Sequence, residues 1–546
     1  MTHPVDSAAA GGLTVRILDP GLHDGAAAGL LDAIAADGAA RLAERDPTLW
    51  GPEAQSEATI RLGWVDVTAA SRPLLAELAE LKADLAAAGL DHIVLAGMGG
   101  SSLAPEVITR SAGVELTVLD TTDPGQVRRA LADRLDRTVV VVASKSGGTL
   151  ETDSHRRVYE KAFADAGLTP DQIKARFVVV TDPGSPLEKT AREAGYRVFL
   201  ADPNVGGRYS ALTAFGLVPS ALAGVDVAGL LDAADAVRPA LAESSDNPGL
   251  LLGAAMGGAV DSGRDKLVIG DVDPALVGFG DWAEQLIAES TGKAGTGILP
   301  VVVEGPSAPG WVHAGPDTVV AAVGESTAAA ITVTGPLGAQ FLVWEYATAI
   351  AGRALGINPF DQPNVTESKE NTSRLLAESG PDGPAVPTPL LTDGPVEVFG
   401  DPRVFDGAKS LSDALDTLLG AVDDRGYLAV MAYLDRVADA AAAKLRPALA
   451  RRLMDRQVTF GWGPRFLHST GQFHKGGPQV GVFLQVTGAI AEDLAIPGRP
   501  FTFGSLHLAQ ALGDLGALTG RGRPALRLHL TDRQAGLEAV LAAIER

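Results

Sequence analysis

Several short stretches of this chain combine residue types that could hold or transform an anionic small molecule. Gly97-Met98-Gly99-Gly100-Ser101-Ser102-Leu103 follows a short apolar run. A glycine-rich turn between a strand and a helix exposes backbone N–H groups where an anion is stabilised. Ser102 stands where a dinucleotide fingerprint has its third glycine, and no Gly-Lys-Ser/Thr closes a Walker loop. A plain tight turn reads equally well at this point. Ser144-Lys145-Ser146-Gly147-Gly148-Thr149 follows another apolar run. Its hydroxyls can donate to phosphate oxygens at the carboxyl end of a strand, where open α/β sheets bind ligands. The competing reading is a capped turn with Ser146 or Thr149 as N-cap. Two such loops on one sheet favour a phosphate site more than either does alone.

Further along, Gly206-Gly207-Arg208-Tyr209-Ser210 holds an arginine that could face a developing oxyanion, or could be an ordinary surface residue. Trp282 to Lys293 reads as an amphipathic helix ending at Gly292. Gln285 and Glu289 lie four apart on one side of it, as a base and its positioning partner would. Glu284 is offset and reads as solvated. In Asn358–Lys369 a loop opens a helix, with Gln362 and Lys369 on roughly one face. Gly463–Pro478 gathers His468 and His474, two of nine histidines, in a glycine-rich loop. It offers no third ligand at metal-site spacing, so no metal is expected and a polar catalytic loop is the better reading.

The elements that must position these residues follow from the apolar rhythm. Runs at Ile93–Leu95, Leu116–Leu119, Val139–Val142, Phe177–Val180 and Arg197–Leu200 are separated by helical lengths. They predict a parallel sheet covered on both faces. After a helical connection (Ala211–Glu243) the rhythm resumes at Lys266–Ile269, Gly297–Val303, Thr318–Val323 and Ala330–Val333. The expected fold is α/β, with two doubly wound parallel-sheet domains and additional helices. Residues 1–90 are expected as a helical arm, frayed from Thr2 to Leu13, residues 91–245 as the first domain and 246–546 as the second. Ser379–Arg403, rich in Pro, Gly and Asp, reads as a linker. Beyond it, Leu411–Leu419 and Ala438–Leu453 read as helical, and the runs Val458–Phe460, Val480–Leu484 and Leu526–Leu530 are expected to complete the second sheet.

A length of 546 residues predicts more than one domain. The net charge of -22 repels phosphate backbones and anionic lipid, arguing against nucleic-acid and membrane partners. With no cysteine, disulfides, thiolate nucleophiles and Cys-ligated metals are excluded. The N-terminus lacks a signal peptide's basic and apolar regions, and no apolar stretch is long enough to span a bilayer, so the expected location is cytoplasmic.

In order and spacing these motifs resemble the glucose-6-phosphate isomerase family of the sugar isomerase (SIS) fold group, most strongly at Gly99–Ser101, Ser144–Thr149, Gly206–Ser210, Gln285–Lys293 and Asn358–Lys369. His468–Pro478 also resembles the isomerase part of transaldolase–isomerase fusions, although the segment before Asp91 is too short for a transaldolase barrel. The resemblance implies aldose–ketose isomerisation of a sugar phosphate through an enediolate, without cofactor or metal. It implies phosphate contacts from Gly100, Ser101, Ser144, Lys145, Ser146 and Thr149. It implies Glu289 as base beside Gln285, Arg208 at the enediolate, and Lys369 and Gln362 facing the substrate. The family's ring-opening histidine lies in a Gly-Gln-His motif before the lysine, which is absent here. Gly471-Gln472-Phe473-His474 is the nearest likeness, so His474 is favoured over His468, with a permuted order of second-domain elements. The family often takes this histidine from a second subunit, which makes a homodimer one of the implications. Tolerance of mannose 6-phosphate, or a non-catalytic sugar-phosphate-binding regulator, are the alternatives.

Overall fold

The structure is a computed structural model and describes residues 6–22, 37–379, 383–405 and 407–546. The chain opens with an antiparallel hairpin of β1 (Asp6–Ala10) and β2 (Leu13–Ile17). The expected frayed arm is therefore a strand from Asp6 onward, while Thr2–Val5 lie outside the described residues. The alternation Leu13, Val15, Ile17 explains why, since that whole face of β2 is buried. Of the rest of the expected helical arm, residues 23–36 lie outside the described residues. The longest helix of the remainder is Leu74–Ala87.

The first sheet holds β3 (His92–Gly97), β4 (Thr117–Leu119), β5 (Thr138–Ala143), β6 (Phe177–Thr181) and β7 (Arg197–Leu200). All five are parallel in the order β4-β3-β5-β6-β7 and coincide with the expected runs. β3, β5 and β6 are buried along their whole length, as strands covered on both faces must be. The second sheet holds β8 (Lys266–Asp271), β9 (Leu299–Val303), β10 (Thr318–Val323) and β11 (Ile331–Thr334). The N-terminal hairpin completes its edge, β2 running antiparallel to β11, to give β1-β2-β11-β10-β8-β9.

The late apolar runs do not complete that sheet. They form a third sheet with strands β12 (Leu391–Asp393), β13 (Val396–Gly400), β14 (Tyr427–Tyr433), β15 (Gln457–Trp462), β16 (Gly481–Gly488) and β17 (Ala525–Leu530). Their order is β12-β13-β17-β16-β14-β15. This lobe has its own core, in which Leu415, Leu428, Val430, Leu484 and Leu526 are buried together. The expected linker contains the β12–β13 hairpin, turning through Gly394 at φ +55; residues 380–382 lie outside the described residues.

The first and second lobes share one apolar core, and the third meets each of them along a seam of its own. Between the second and third, Val301, Val320 and Trp311 share an apolar cluster with Tyr427, Met431 and Phe483. Between the first and third, Glu106 pairs with Arg436 (2.7 Å) and Arg465, Asp120 with Arg465 (3.2 Å), and Asp123 with Arg533 (2.8 Å). Among the described residues no helix is long and apolar enough to cross a membrane.

Candidate active site

The carboxyl ends of β3 and β5, neighbours at the centre of the first sheet, deliver the two hydroxyl- and glycine-rich loops to one cavity of about 420 Å³. Gly100 sits so close to the Arg208 turn that a Cβ there would lie 1.9 Å from the Gly207 carbonyl oxygen. Only glycine allows the loops to meet. Ser144 and Thr149 hydroxyls are 2.9 Å apart. Thr149 is the N-cap of the helix Leu150–Asp165, yet its side chain makes no capping bond, so it faces the cavity together with the helix's free N–H groups. Lys145 lines the same wall with its ammonium on Asp182 at 2.5 Å; burial, the largest influence, lowers its pKa against the pull of that carboxylate.

The opposite wall comes from the second lobe. The helix Phe279–Thr291, which follows β8, presents Gln285 and Glu289, and Gln285 Nε2 donates to Glu289 Oε2 at 3.1 Å. Arg208 is 2% exposed and lies 3.1 Å from Glu289 Oε1. Its guanidinium donates to Ser290 Oγ (2.9 Å), Gln362 Oε1 (2.9 Å), the Pro359 carbonyl (2.8 Å) and the Asp361 carbonyl (3.0 Å). This arginine is fixed before any ligand arrives. Lys293 pins the same loop by donating to the Asn358 and Asp361 carbonyls at 2.7 and 2.6 Å. Burial first, and Arg208 second, lower its pKa to about 8. Lys369 projects from the helix Val365–Glu378 into the cavity.

Gly100, Ser101, Ser144, Lys145, Ser146, Thr149, Arg208, Gln285, Glu289, Gln362 and Lys369 thus all border one cavity. His474 does not. It lies on the short helix Gly471–Gly476, which turns its ring into an aromatic core 5.2 Å from Phe483 and 6.2 Å from Tyr427. Neither ring nitrogen has a hydrogen-bond partner, and burial drives its pKa far below the usual histidine value. His468 borders the cavity instead, from the loop after β15. Its Nε2 lies 3.2 Å from Glu151 Oε1, which also accepts from Gln510 Nε2 at 2.6 Å. Burial alone would raise the Glu151 carboxyl, but hydrogen bonding and charge from His468, a backbone bond and the Lys369 charge hold it at about 2. Glu284, expected in solvent, is buried and accepts from Ser469 Oγ at 3.1 Å. Burial, then the Asp281 charge, push its pKa up to about 8.

Glu151 and Gln510 were not singled out by sequence. An acid in the first turn of a helix is common for dipole reasons alone, so only the fold sets Glu151 apart. Gln510 comes from a remote helix, Phe503–Gly520, with no local signal. Among the described residues one His–carboxylate group is close enough to ligate a cation, His92, Glu115 and Asp133. It lies at the start of β3, the end of the sheet opposite the cavity.

A doubly wound sheet offers hydroxyl loops to an anion, and across the cavity Glu289 of the second lobe pairs with Arg208, which the first lobe carries after β7. The family model for phosphoglucose isomerase matches residues 66–298. A probable glucose-6-phosphate isomerase of Haloarcula marismortui is 35% identical over 221 residues, 39% of this chain and 49% of that protein. A glucose-6-phosphate isomerase of Synechococcus elongatus is 31% identical over 350 residues, 52% of this chain and 66% of that one. The crystal structure of a glucose-6-phosphate isomerase from Chlamydia trachomatis superposes with a TM-score of 0.54 at 20% identity, covering 68% of this chain and 89% of that one, which shows the shared fold. Over residues 66–298 the chain is similar to the phosphoglucose isomerase family. It spans about half the length of the Haloarcula relative.

Proposed function

We propose that this chain interconverts glucose 6-phosphate and fructose 6-phosphate in the cytoplasm. The observation that carries this reading is the Glu289–Arg208 pair at 3.1 Å, facing the Ser144–Thr149 loop across one cavity. The phosphate sits against Ser101, Ser144, Ser146 and Thr149 and the N-terminus of the helix Leu150–Asp165, which stabilise its charge. Binding energy from this remote group holds the open chain with C1 and C2 at Glu289.

The reaction moves hydrogen between adjacent carbons. His468, oriented by the Glu151 carboxylate, and Lys369 serve the acid–base chemistry that opens the ring. Glu289 then removes the C2 proton and returns it at C1, and Gln285 keeps its carboxylate aimed. As the proton leaves, charge grows on the C1 and C2 oxygens. Arg208, already locked by its acceptors, meets that charge without reorganising, which in a dry site contributes several kcal/mol. Fructose 6-phosphate incubated with the protein in heavy water yields glucose 6-phosphate carrying deuterium at C2. Product without C2 deuterium removes Glu289-mediated exchange, and no product removes the activity.

A further inference from the structure

The second and third sheets share one plan. Each has an antiparallel hairpin at its edge and then four parallel strands, β11-β10-β8-β9 in one and β17-β16-β14-β15 in the other. Every pairing direction agrees, from β2 against β11 and β13 against β17 to β8 beside β9 and β14 beside β15. The helices agree as well. Pro248–Asp261 precedes β8 as Leu411–Gly420 precedes β14, and Leu337–Ala354 follows β11 as Arg533–Ile544 follows β17. Even the loops after the second parallel strands share a pattern: Gly305-Pro306 leads to His313-Ala314-Gly315-Pro316, and Gly463-Pro464 to His474-Lys475-Gly476-Gly477-Pro478.

The two lobes also touch reciprocally. Their corresponding edge strands β9 and β15 lie against each other. The loop after β15 packs on the helix Phe279–Thr291 of the second lobe, where Gln285 donates to the His468 carbonyl (2.6 Å) and Gln472 to the Gly292 carbonyl (2.9 Å). The loop after β9 packs on the corresponding helix of the third lobe, Leu445–Leu453, where Arg446 pairs with Glu304 and donates to the Pro309 carbonyl at 3.2 Å. Element i of one lobe meets element j of the other, and j meets i. That reciprocity is the mark of a two-fold, self-complementary interface.

We infer that the third lobe is an internal counterpart of the second, docked on it about a pseudo-two-fold axis, so that one chain forms a pairing otherwise made by two copies and supplies His468 to its own site. Among the described residues one sheet carries the hydroxyl loops, so the pair serves a single cavity. The reciprocal loop, Gly305–Pro316, is the shorter and ends in packing. The β9 edge, which a second copy would need, is already covered by β15 of the same chain.

The activity test rests on the isomerase reading; a second readout does not. Full-length Glu289→Gln and His468→Ala are each prepared, checked for folding by circular dichroism, and mixed after joint unfolding and refolding. Sites completed within one chain leave the mixture no more active than its parents. Recovery toward about a quarter of wild-type turnover, the statistical yield when two chains share sites, overturns the inference. An inactive wild type overturns the isomerase reading instead. Because the chain has no cysteine, Glu304→Cys with Arg446→Cys provides a single pair for a short bis-maleimide. Cross-linked protein of single-chain mass is expected, and a covalent dimer as the main product overturns the inference whatever the catalytic outcome.

Discussion

Glu151→Gln separates opening of the sugar ring from proton transfer. The substitution keeps a carbonyl oxygen where Glu151 Oε1 accepts from Gln510 and meets His468, so the side-chain geometry survives and only the charge is lost. A hydrogen bond to a charged group contributes about 1.5–3 kcal/mol. The neutral bond that remains contributes about 0.5–1.5 kcal/mol, so the loss is about 1–1.5 kcal/mol, or about 5- to 13-fold in turnover at about 1.4 kcal/mol per tenfold. The defect belongs to the ring-opening step, because Glu151 touches His468 and not Glu289. Turnover of glucose 6-phosphate, measured by coupling the product to a dehydrogenase, is compared with that of erythrose 4-phosphate, which cannot close into a ring. The variant loses turnover on the cyclic substrate and keeps it on the acyclic one. Equal losses on both would refute the assignment, as would wild-type turnover on the cyclic substrate. The pH dependence adds a check. The Glu151 pKa is depressed from 4.5 to about 2, so its stabilising contribution is complete above about pH 4.5 and is lost as pH falls through 2. The turnover defect of the variant is therefore constant with respect to Glu151 ionisation from pH 6 to 9.

Glu289→Gln retains sugar-phosphate binding by calorimetry but loses turnover by about 10³-fold or more, since the base proposed for C2 is gone; near-wild-type turnover would exclude it. His474→Phe leaves turnover within about twofold and stability within about 1.5 kcal/mol, because an aromatic ring replaces an imidazole that makes no hydrogen bond. His468→Asn loses turnover by about 10²-fold or more, and a reversal of these two results would restore His474 to the site. Glu106→Gln unbalances the buried charges of Arg436 and Arg465 and lowers unfolding free energy at pH 7 by about 3–5 kcal/mol, read from denaturant midpoints. Burial works against the Glu106 carboxylate, but the two arginines hold its pKa at about 2, so the wild type loses this contribution as pH falls from 4.5 through 2. The variant shows a flatter acid limb.

The sequence made the first two sheets legible because their strands are continuous apolar runs separated by helical lengths, a pattern that survives without any knowledge of tertiary contacts. The third sheet was harder to see for a specific reason. One of its inner strands, Tyr427–Tyr433, mixes two tyrosines and a methionine with alanines, and without it the run at Val458 is not joined to those at Val480 and Leu526. The N-terminal hairpin was hidden in the opposite way. Asp6–Ala10 is made of small residues that signal nothing until β2 pairs with β11 and supplies the buried face.

The histidine shows where sequence reasoning must stop. His468 and His474 share one glycine-rich loop, and a Gly-Gln dipeptide near His474 made it the better match to a family pattern. What decides between them is the direction in which each ring leaves the backbone, and that is set by partners distant in the chain. Gln285 takes the His468 carbonyl and Glu151 takes its ring, holding it at the cavity. Phe473, one residue before His474, packs against Gly292, where a Cβ would lie 2.5 Å from the Phe473 Cα. That close approach seats the helix Gly471–Gly476 on the second lobe and sends the His474 ring away from the cavity, among Tyr427 and Phe483. Replacing Gly292 with alanine should therefore displace this helix and, through it, the His468 loop. The expected result is a turnover loss on glucose 6-phosphate that exceeds the loss on erythrose 4-phosphate, as for Glu151→Gln, although Gly292 itself lies outside the cavity lining. Wild-type turnover on both substrates would mean that the His468 loop is held independently of this contact.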